Sequence, residues 1–172
     1  SKKVEPSKIY IFVANTNEYD EYIKNVPKTM YNKIVVGIIG LRDQRNFITE
    51  YFSEGKNIVE LDDDVKDVLK LVPGKGKTRE EKQKANKLIS VKNLDKLFTE
   101  AFIKLKTTSA HLWGVYPVNN PFFMSDTITT DLRFIVGPMW GKINRKDKNL
   151  KLKLNEKEDF ERTLRNYHKD KS

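Results

Sequence analysis

Between residues 9 and 61, three short apolar runs alternate with two helix-patterned stretches, and no other feature limits the fold as much. Ile9-Tyr10-Ile11-Phe12-Val13-Ala14 and Ile34-Val35-Val36-Gly37-Ile38-Ile39 carry no polar alternation. That is the pattern of strands covered on both faces, as in parallel sheets. Asn57-Ile58-Val59-Glu60-Leu61 reads as a third strand. After the first run, Asn15-Thr16-Asn17 offers cap chemistry, and 18–25 reads as a short helix that Pro27 ends. After the second, Gly40 turns the chain into a helix over 41–52, with Phe47, Ile48, Tyr51 and Phe52 at helical spacing. Gly55 sits just past its end, where a left-handed cap is wanted. Strand, helix, strand, helix, strand predicts a βαβαβ unit with right-handed crossovers. The expected class is α/β, with a mostly parallel central sheet flanked by helices. A length of 172 residues suits a single domain.

Residues 73–93 break this order and read as a flexible basic insertion around Pro73-Gly74-Lys75-Gly76-Lys77, with a polar helix-prone stretch over 79–87. An amphipathic helix follows over 93–106, capped by Asn93, with Leu94, Leu97, Phe98, Ala101, Phe102 and Leu105 on one face. Residues 132–137 read as another apolar strand, which 139–143 continue or turn from. A final helix is expected over 155–167, capped by Asn155 with Glu158 at the capping-box position.

Charge is distributed unevenly. Residues 75–96 hold 8 basic and 3 acidic side chains, and 142–172 hold 11 and 6, while the rest of the chain is close to neutral. A polyanion such as nucleic acid is the natural partner of two such stretches; solubility is the alternative. Cysteine is absent, which excludes disulfides, thiolate zinc sites and cysteine nucleophiles. With two histidines, His111 and His168, any metal must lean on oxygen ligands. No run approaches the length that spans a bilayer, and Ser1-Lys2-Lys3-Val4-Glu5-Pro6 is no signal peptide. A soluble intracellular protein without membrane contact is therefore expected.

Asp62-Asp63-Asp64 follows the third strand directly. Ligands of open α/β sheets gather at the carboxyl ends of strands. Three adjacent carboxylates repel one another, and a hard divalent cation offsets that best. In extended geometry Asp62 and Asp64 point the same way, so both could face one magnesium or manganese ion. Such an ion would neutralise a diphosphate and help a nucleoside diphosphate leave. The alternative is a solvated turn. No P-loop pattern occurs; Gly74-Lys75-Gly76-Lys77 lacks the spacing and the following hydroxyl.

Gly40-Leu41-Arg42-Asp43-Gln44-Arg45-Asn46, a helix, then Ile58-Val59-Glu60-Leu61-Asp62-Asp63-Asp64 resembles the nucleotide-sugar half of GT-A glycosyltransferases, a Rossmann-like fold. Trp113-Gly114-Val115-Tyr116-Pro117, Asn119-Asn120-Pro121-Phe122-Phe123-Met124 and Glu158-Asp159-Phe160-Glu161-Arg162-Thr163-Leu164 resemble, more narrowly, the TET-associated glycosyltransferases, relatives of the base J DNA glucosyltransferase. The likeness covers most of residues 8–170. It implies a metal-dependent, inverting transfer of a hexose, glucose in that family, from a UDP-sugar to 5-hydroxymethylpyrimidine in DNA. It also implies a nucleotide-sugar-binding half over 8–72 and an acceptor-binding half over 94–172. If virus-encoded, the chain would work in the host cytoplasm or nucleus.

By that resemblance, Ala14 and Asn15 lie near the uracil or ribose. Arg42 and Arg45, one turn apart, reach a phosphate or pair with the aspartates; salt bridges to Asp43 or Glu50 are the alternative. Asn46 orients that cluster. Asp62 contacts ribose or metal, Asp64 is the direct metal ligand, and Asp63 is the third member. Trp113 and Gly114 shape the donor-sugar pocket, Trp113 otherwise being core, and Asn119 and Asn120 bond sugar hydroxyls or form a turn. Asp159 is the general base, with Glu158 in reserve and Asp126 as the other candidate. A hydroxymethyl group is a weak nucleophile and needs a positioned base. First-turn acids also suit a helix dipole, which is the plainer account of Glu158-Asp159. His168 matches a late metal ligand, whereas His111 reads as structural. Lys75, Lys77 and Arg79, with Lys142 and Arg145, would grip DNA phosphates. Two further readings stay open: a UDP-sugar transferase acting on protein or glycan, and a non-catalytic basic nucleic-acid-binding α/β module.

Overall fold

The opening strand–helix–strand unit forms as its pattern predicts. In the computed structural model, which describes residues 3–172, β1 (Tyr10–Val13) pairs in parallel with β2 (Lys33–Val36) across α1 (Thr16–Asn25). The Asn15 side chain caps α1 by accepting from the Glu18 amide at 3.0 Å. Gly40, with φ of 98°, supplies the left-handed turn into α2 (Leu41–Tyr51), a conformation that costs other residues free energy. α2 packs on β1 through aromatic edges: Phe12 meets Tyr51 at 5.3 Å and Tyr10 meets Phe52 at 5.1 Å between ring centroids.

The third strand departs from expectation. β3 (Asn57–Leu61) does not extend a parallel sheet. It pairs antiparallel with β7 (Met139–Ile143), which pairs antiparallel with β6 (Leu112–Gly114). The class is α/β, but the sheets are small and mostly antiparallel rather than one mostly parallel sheet. The physical reason is visible in β3: Ile58 and Glu60 are buried while Asn57 and Leu61 are exposed. That alternation, with a carboxylate on the inward face, is not the uniformly apolar covering of a parallel strand.

A third antiparallel pair, forming its own two-stranded sheet, joins β4 (Leu69–Val72) to β5 (Lys87–Ser90). The stretch expected as a flexible insertion therefore holds β5 and α3 (Arg79–Lys84), the latter closed by a Thr78–Glu81 capping box. Residues 132–137 do not form a strand. Instead, the Ile135 amide donates to Thr163 Oγ1 at 3.0 Å and its carbonyl accepts from Arg162 at 3.0 Å, so side chains replace a ladder. Both partners lie on α5 (Glu158–Asp170). Asn155 does not cap that helix: the N-cap is Lys157, at φ 58°, without a side-chain bond.

The β3–β7–β6 sheet divides the interior. One face presents Val59, Trp113 and Ile143 to the buried Phe102, Leu105 and Ala110, of which the first two lie on α4 (Leu94–Leu105). Here Gly141 is required, because a Cβ would stand 2.4 Å from atoms of the Trp113 ring. The opposite face presents Ile58, Glu60, Trp140 and Lys142 towards α2 and α5. No helix among the described residues is long and apolar enough to cross a membrane.

Asn144, fully buried after β7, donates through Nδ2 to the carbonyls of Thr49, Phe52 and Ser53 at the end of α2. Asn144→Ala strands these carbonyls and should lower the unfolding free energy by about 2–3 kcal/mol, read by urea denaturation.

Candidate active site

β3 ends at the aspartates because the chain turns there: the Asp62 amide donates to Pro138 O, and the Val65 amide to Asp62 O. Behind this turn lies a cluster of charges on the inward face of the sheet. Arg45 donates to Glu60 at 2.9 Å and to Asp62 Oδ1 at 2.7 Å, so a single guanidinium ties the strand interior to the first aspartate. Lys142 Nζ lies 3.0 Å from the second Glu60 oxygen and donates to Thr49 Oγ1. Trp140, 1% exposed, is ringed by cations: Arg162 at 3.8 Å, Lys142 at 5.3 Å and Arg45 at 5.6 Å. Arg162 is 3.5 Å from Glu158.

The two buried arginines fare differently. Burial lowers the Arg45 pKa, but Glu60 and Asp62 outweigh it, and the guanidinium is held above its ordinary value. For Arg162 burial wins. Glu60, Glu158 and Asp159 do not offset it, because Arg45 adds like charge, and the pKa falls below the ordinary value.

The triplet itself is divided. Asp62 is engaged by Arg45, which realises the pairing with the aspartates rather than a free phosphate-binding arginine. Asp63 accepts from the Tyr22 hydroxyl at 3.0 Å; burial and this bond push the Tyr22 pKa up, so the phenol stays a donor. Asp64 is exposed and makes no side-chain bond among the described residues. No three His, Asp or Glu side chains among the described residues converge on a metal position.

Other expected residues do different work. Arg42 binds Asp43 and the Lys153 carbonyl. Asn46 clasps the Leu152 backbone by both its amide groups and does not orient the aspartates. Asn15 is spent on the α1 cap, and the Ala14 amide donates to Glu18 at 2.8 Å. Trp113 packs against Phe98 and Phe102 at the core, and Gly114 is exposed, with Ile135 so close that a Cβ there would meet it. Asn120 accepts from the Phe122 amide in a turn. Glu158 is buried beside Arg162, whereas Asp159 is half-buried and accepts from the Phe160 amide. His111 lies 3.3 Å from Asp170, and His168 is exposed.

The proposed DNA grip splits in two. Lys75, Lys77 and Arg79 are exposed and enter no ion pair among the described residues. Lys142 and Arg145 are not free for phosphate: Lys142 sits against Glu60, and Arg145 meets Asp170 at 2.5 Å and Asn166 at 2.6 Å.

Residues that sequence reasoning missed dominate the site: Glu60, Trp140, Arg162, Tyr22 and Gln44. Gln44 accepts from the Ile38 amide at 2.8 Å and reaches the Val13 carbonyl, closing the ends of β1 and β2. Glu60 had a signal, a carboxylate between apolar residues in a strand. Arg162 stands four residues after Glu158, the spacing of a helical ion pair.

Arg45→Ala leaves the buried Glu60 with Lys142 alone and should lower the unfolding free energy by about 3 kcal/mol; Arg45→Met with Glu60→Gln should restore most of it. Urea denaturation of both variants checks this, since equal losses would trace the effect to packing instead of charge. Compared with family models, with curated proteins and with solved structures, the sequence matches none, so only its own geometry bears on its function.

Proposed function

We propose that this chain is a glycosyltransferase with a GT-A-like domain. It moves a hexose, glucose by the sequence resemblance, from a UDP-sugar to 5-hydroxymethylpyrimidine in DNA. One observation carries the reading: the two acidic motifs, nearly a hundred residues apart, meet one cluster. Asp62 leads through Arg45 to Glu60 and Trp140, and from Trp140 through Arg162 to Glu158, the neighbour of Asp159.

The donor set suits a hard cation in one specific way. Magnesium-type ions are commonly held by one or two carboxylates with substrate phosphates completing the shell, so a third protein carboxylate is not required. Asp62 and Asp64 would hold manganese or magnesium, which when bound supplies charge neutralisation for the departing UDP. Arg45 fixes one Asp62 oxygen and leaves the other without a partner among the described residues. Asp159 takes the proton from the acceptor hydroxyl. That oxygen bonds to the anomeric carbon as the bond from this carbon to UDP breaks. Glu158, buried on Arg162, positions the first turn of α5. Lys75, Lys77 and Arg79 contact DNA phosphates without reading sequence.

The deciding assay is UDP release from UDP-glucose with manganese, with and without hydroxymethylated DNA. Asp64→Ala and Asp159→Asn should each slow transfer by about 100-fold or more, the second with donor binding retained. Unchanged release in Asp64→Ala rejects the enzyme, and transfer to a protein or glycan but not to hydroxymethylated DNA moves the acceptor.

Changing Lys75, Lys77 and Arg79 together to Glu should weaken DNA binding and flatten the salt dependence of log affinity by about 3, near one unit per lost phosphate contact. Titrations at several salt concentrations read both effects.

A further inference from the structure

Asn86, half-buried just ahead of β5, joins two segments that lie far apart in sequence. Its Oδ1 accepts from the Gly74 amide, at the root of the basic loop, at 2.8 Å. Its Nδ2 donates to the Pro121 carbonyl at 2.8 Å. Pro121 belongs to a turn ordered from within. Asn120 Oδ1 accepts from the Phe122 amide, and the Asn120 and Pro121 carbonyls accept from the Phe123 and Met124 amides. One side chain thus fixes an aromatic turn against the hairpin that β4 and β5 form.

Phe123 stands on that turn with 67% of its surface exposed, and meets Phe122 edge-to-face at 5.0 Å between centroids. Beside it, residues 75–87 hold six basic side chains and two acidic ones. Both acids are engaged: Glu80 pairs with Lys84, and Glu81 accepts from the Lys77 and Thr78 amides at the start of α3. Lys75, Lys77, Arg79, Lys82 and Lys87 are exposed and enter no ion pair among the described residues. An open aromatic ring beside uncompensated cations suits a nucleic-acid strand, whose phosphates meet the cations while a base face meets the ring.

The ring also separates paired from unpaired nucleic acid. In a duplex each base is covered by its neighbours and shows only its edges to the grooves. A ring on a turn reaches a base face only where the base has left the stack. An acidic protein segment would meet the same cations but offers the ring no flat partner.

We infer that the β4–β5 hairpin and the turn over 120–124 form one surface for an unpaired nucleic-acid strand, with Phe123 stacked on a base and the five free cations along the backbone. The inference rests on the nucleic-acid part of the proposed function, not on sugar transfer. It narrows the acceptor to a pyrimidine presented outside a duplex.

The test is a fluorescence-anisotropy titration of the full chain against labelled oligothymidine of about 15 nucleotides and a duplex of the same length, at one ionic strength. Charge alone favours the duplex, whose phosphates are denser, so tighter binding of the single strand by about tenfold is the mark of stacking. Phe123→Ala should weaken single-strand binding about tenfold and leave the slope of log affinity against log salt unchanged, since no phosphate contact is lost. Phe123→Trp should keep the affinity, and its added emission should be quenched as the strand binds. A duplex bound as tightly as the strand, or Phe123→Ala without effect, overturns the inference while the phosphate grip of Lys75, Lys77 and Arg79 stands. Polyglutamate that competes on equal terms, and is weakened alike by Phe123→Ala, assigns an acidic protein segment and overturns it too. Binding to neither DNA removes the nucleic-acid reading and this inference with it.

Discussion

Glu60 is a carboxylate whose side chain is 4% exposed, carried on the inward face of a five-residue strand, and the charged half of the interior is organised around it. Leaving such a group unpaired costs several kcal/mol. Two cations, Arg45 and Lys142, reach its two oxygens. They come from different elements, so the pairing also fixes where α2 and β7 sit against β3. Trp140 opposite Glu60 in the ladder then gives those cations, and Arg162 from α5, an aromatic face. Cation–π contact without water is worth about 2 kcal/mol or more, enough to make the fully buried indole a docking plate for α5.

From this arrangement the two faces of the sheet take different characters. The face with Val59 and Trp113 is apolar and packs on α4 by dispersion and exclusion of water. The face with Glu60 and Trp140 is held by charge and by stacking. Directional contacts of the second kind tolerate displacement poorly, which is useful where carboxylates from remote parts of the chain must keep their relation. The apolar face supplies stability, while the charged one supplies registration.

Local pattern carried much of the fold. Cap residues Asn15 and Asn93, the turn at Gly40 and the helices over 41–52 and 93–106 follow from spacing and side-chain chemistry within a few residues. What local pattern does not carry is the choice of strand partner. An apolar run shows burial, not direction, and β3 found its partner some eighty residues later in β7. Residues 132–137 failed as a strand for a related reason: the backbone groups of Ile135, at their centre, are taken by Thr163 and Arg162 rather than by a ladder. At the site, the aspartate triplet and the Arg45 pairing were legible. Lys142 and Arg145 were not, since a lysine or arginine looks the same in sequence whether it faces solvent or Glu60 and Asp170.

That ambiguity matters for reading the basic surplus. Of the two lysine-rich stretches, the one over 75–96 presents Lys75, Lys77 and Arg79 to solvent, while part of the C-terminal one is turned inward against acids and an aromatic ring. A cation already paired in the interior contributes little to the field outside, because its partner's charge cancels its own at any distance larger than their separation. The positive field outside therefore comes from the exposed loop together with the exposed Lys148, Lys151, Lys153 and Lys157 of the C-terminal stretch. The inward-facing cations act on the protein itself, orienting the first turn of α5 and, through Arg45, one oxygen of Asp62. Formal net charge counts the two groups alike; only their placement separates the surface that can meet a partner from the interior that holds the acids in place.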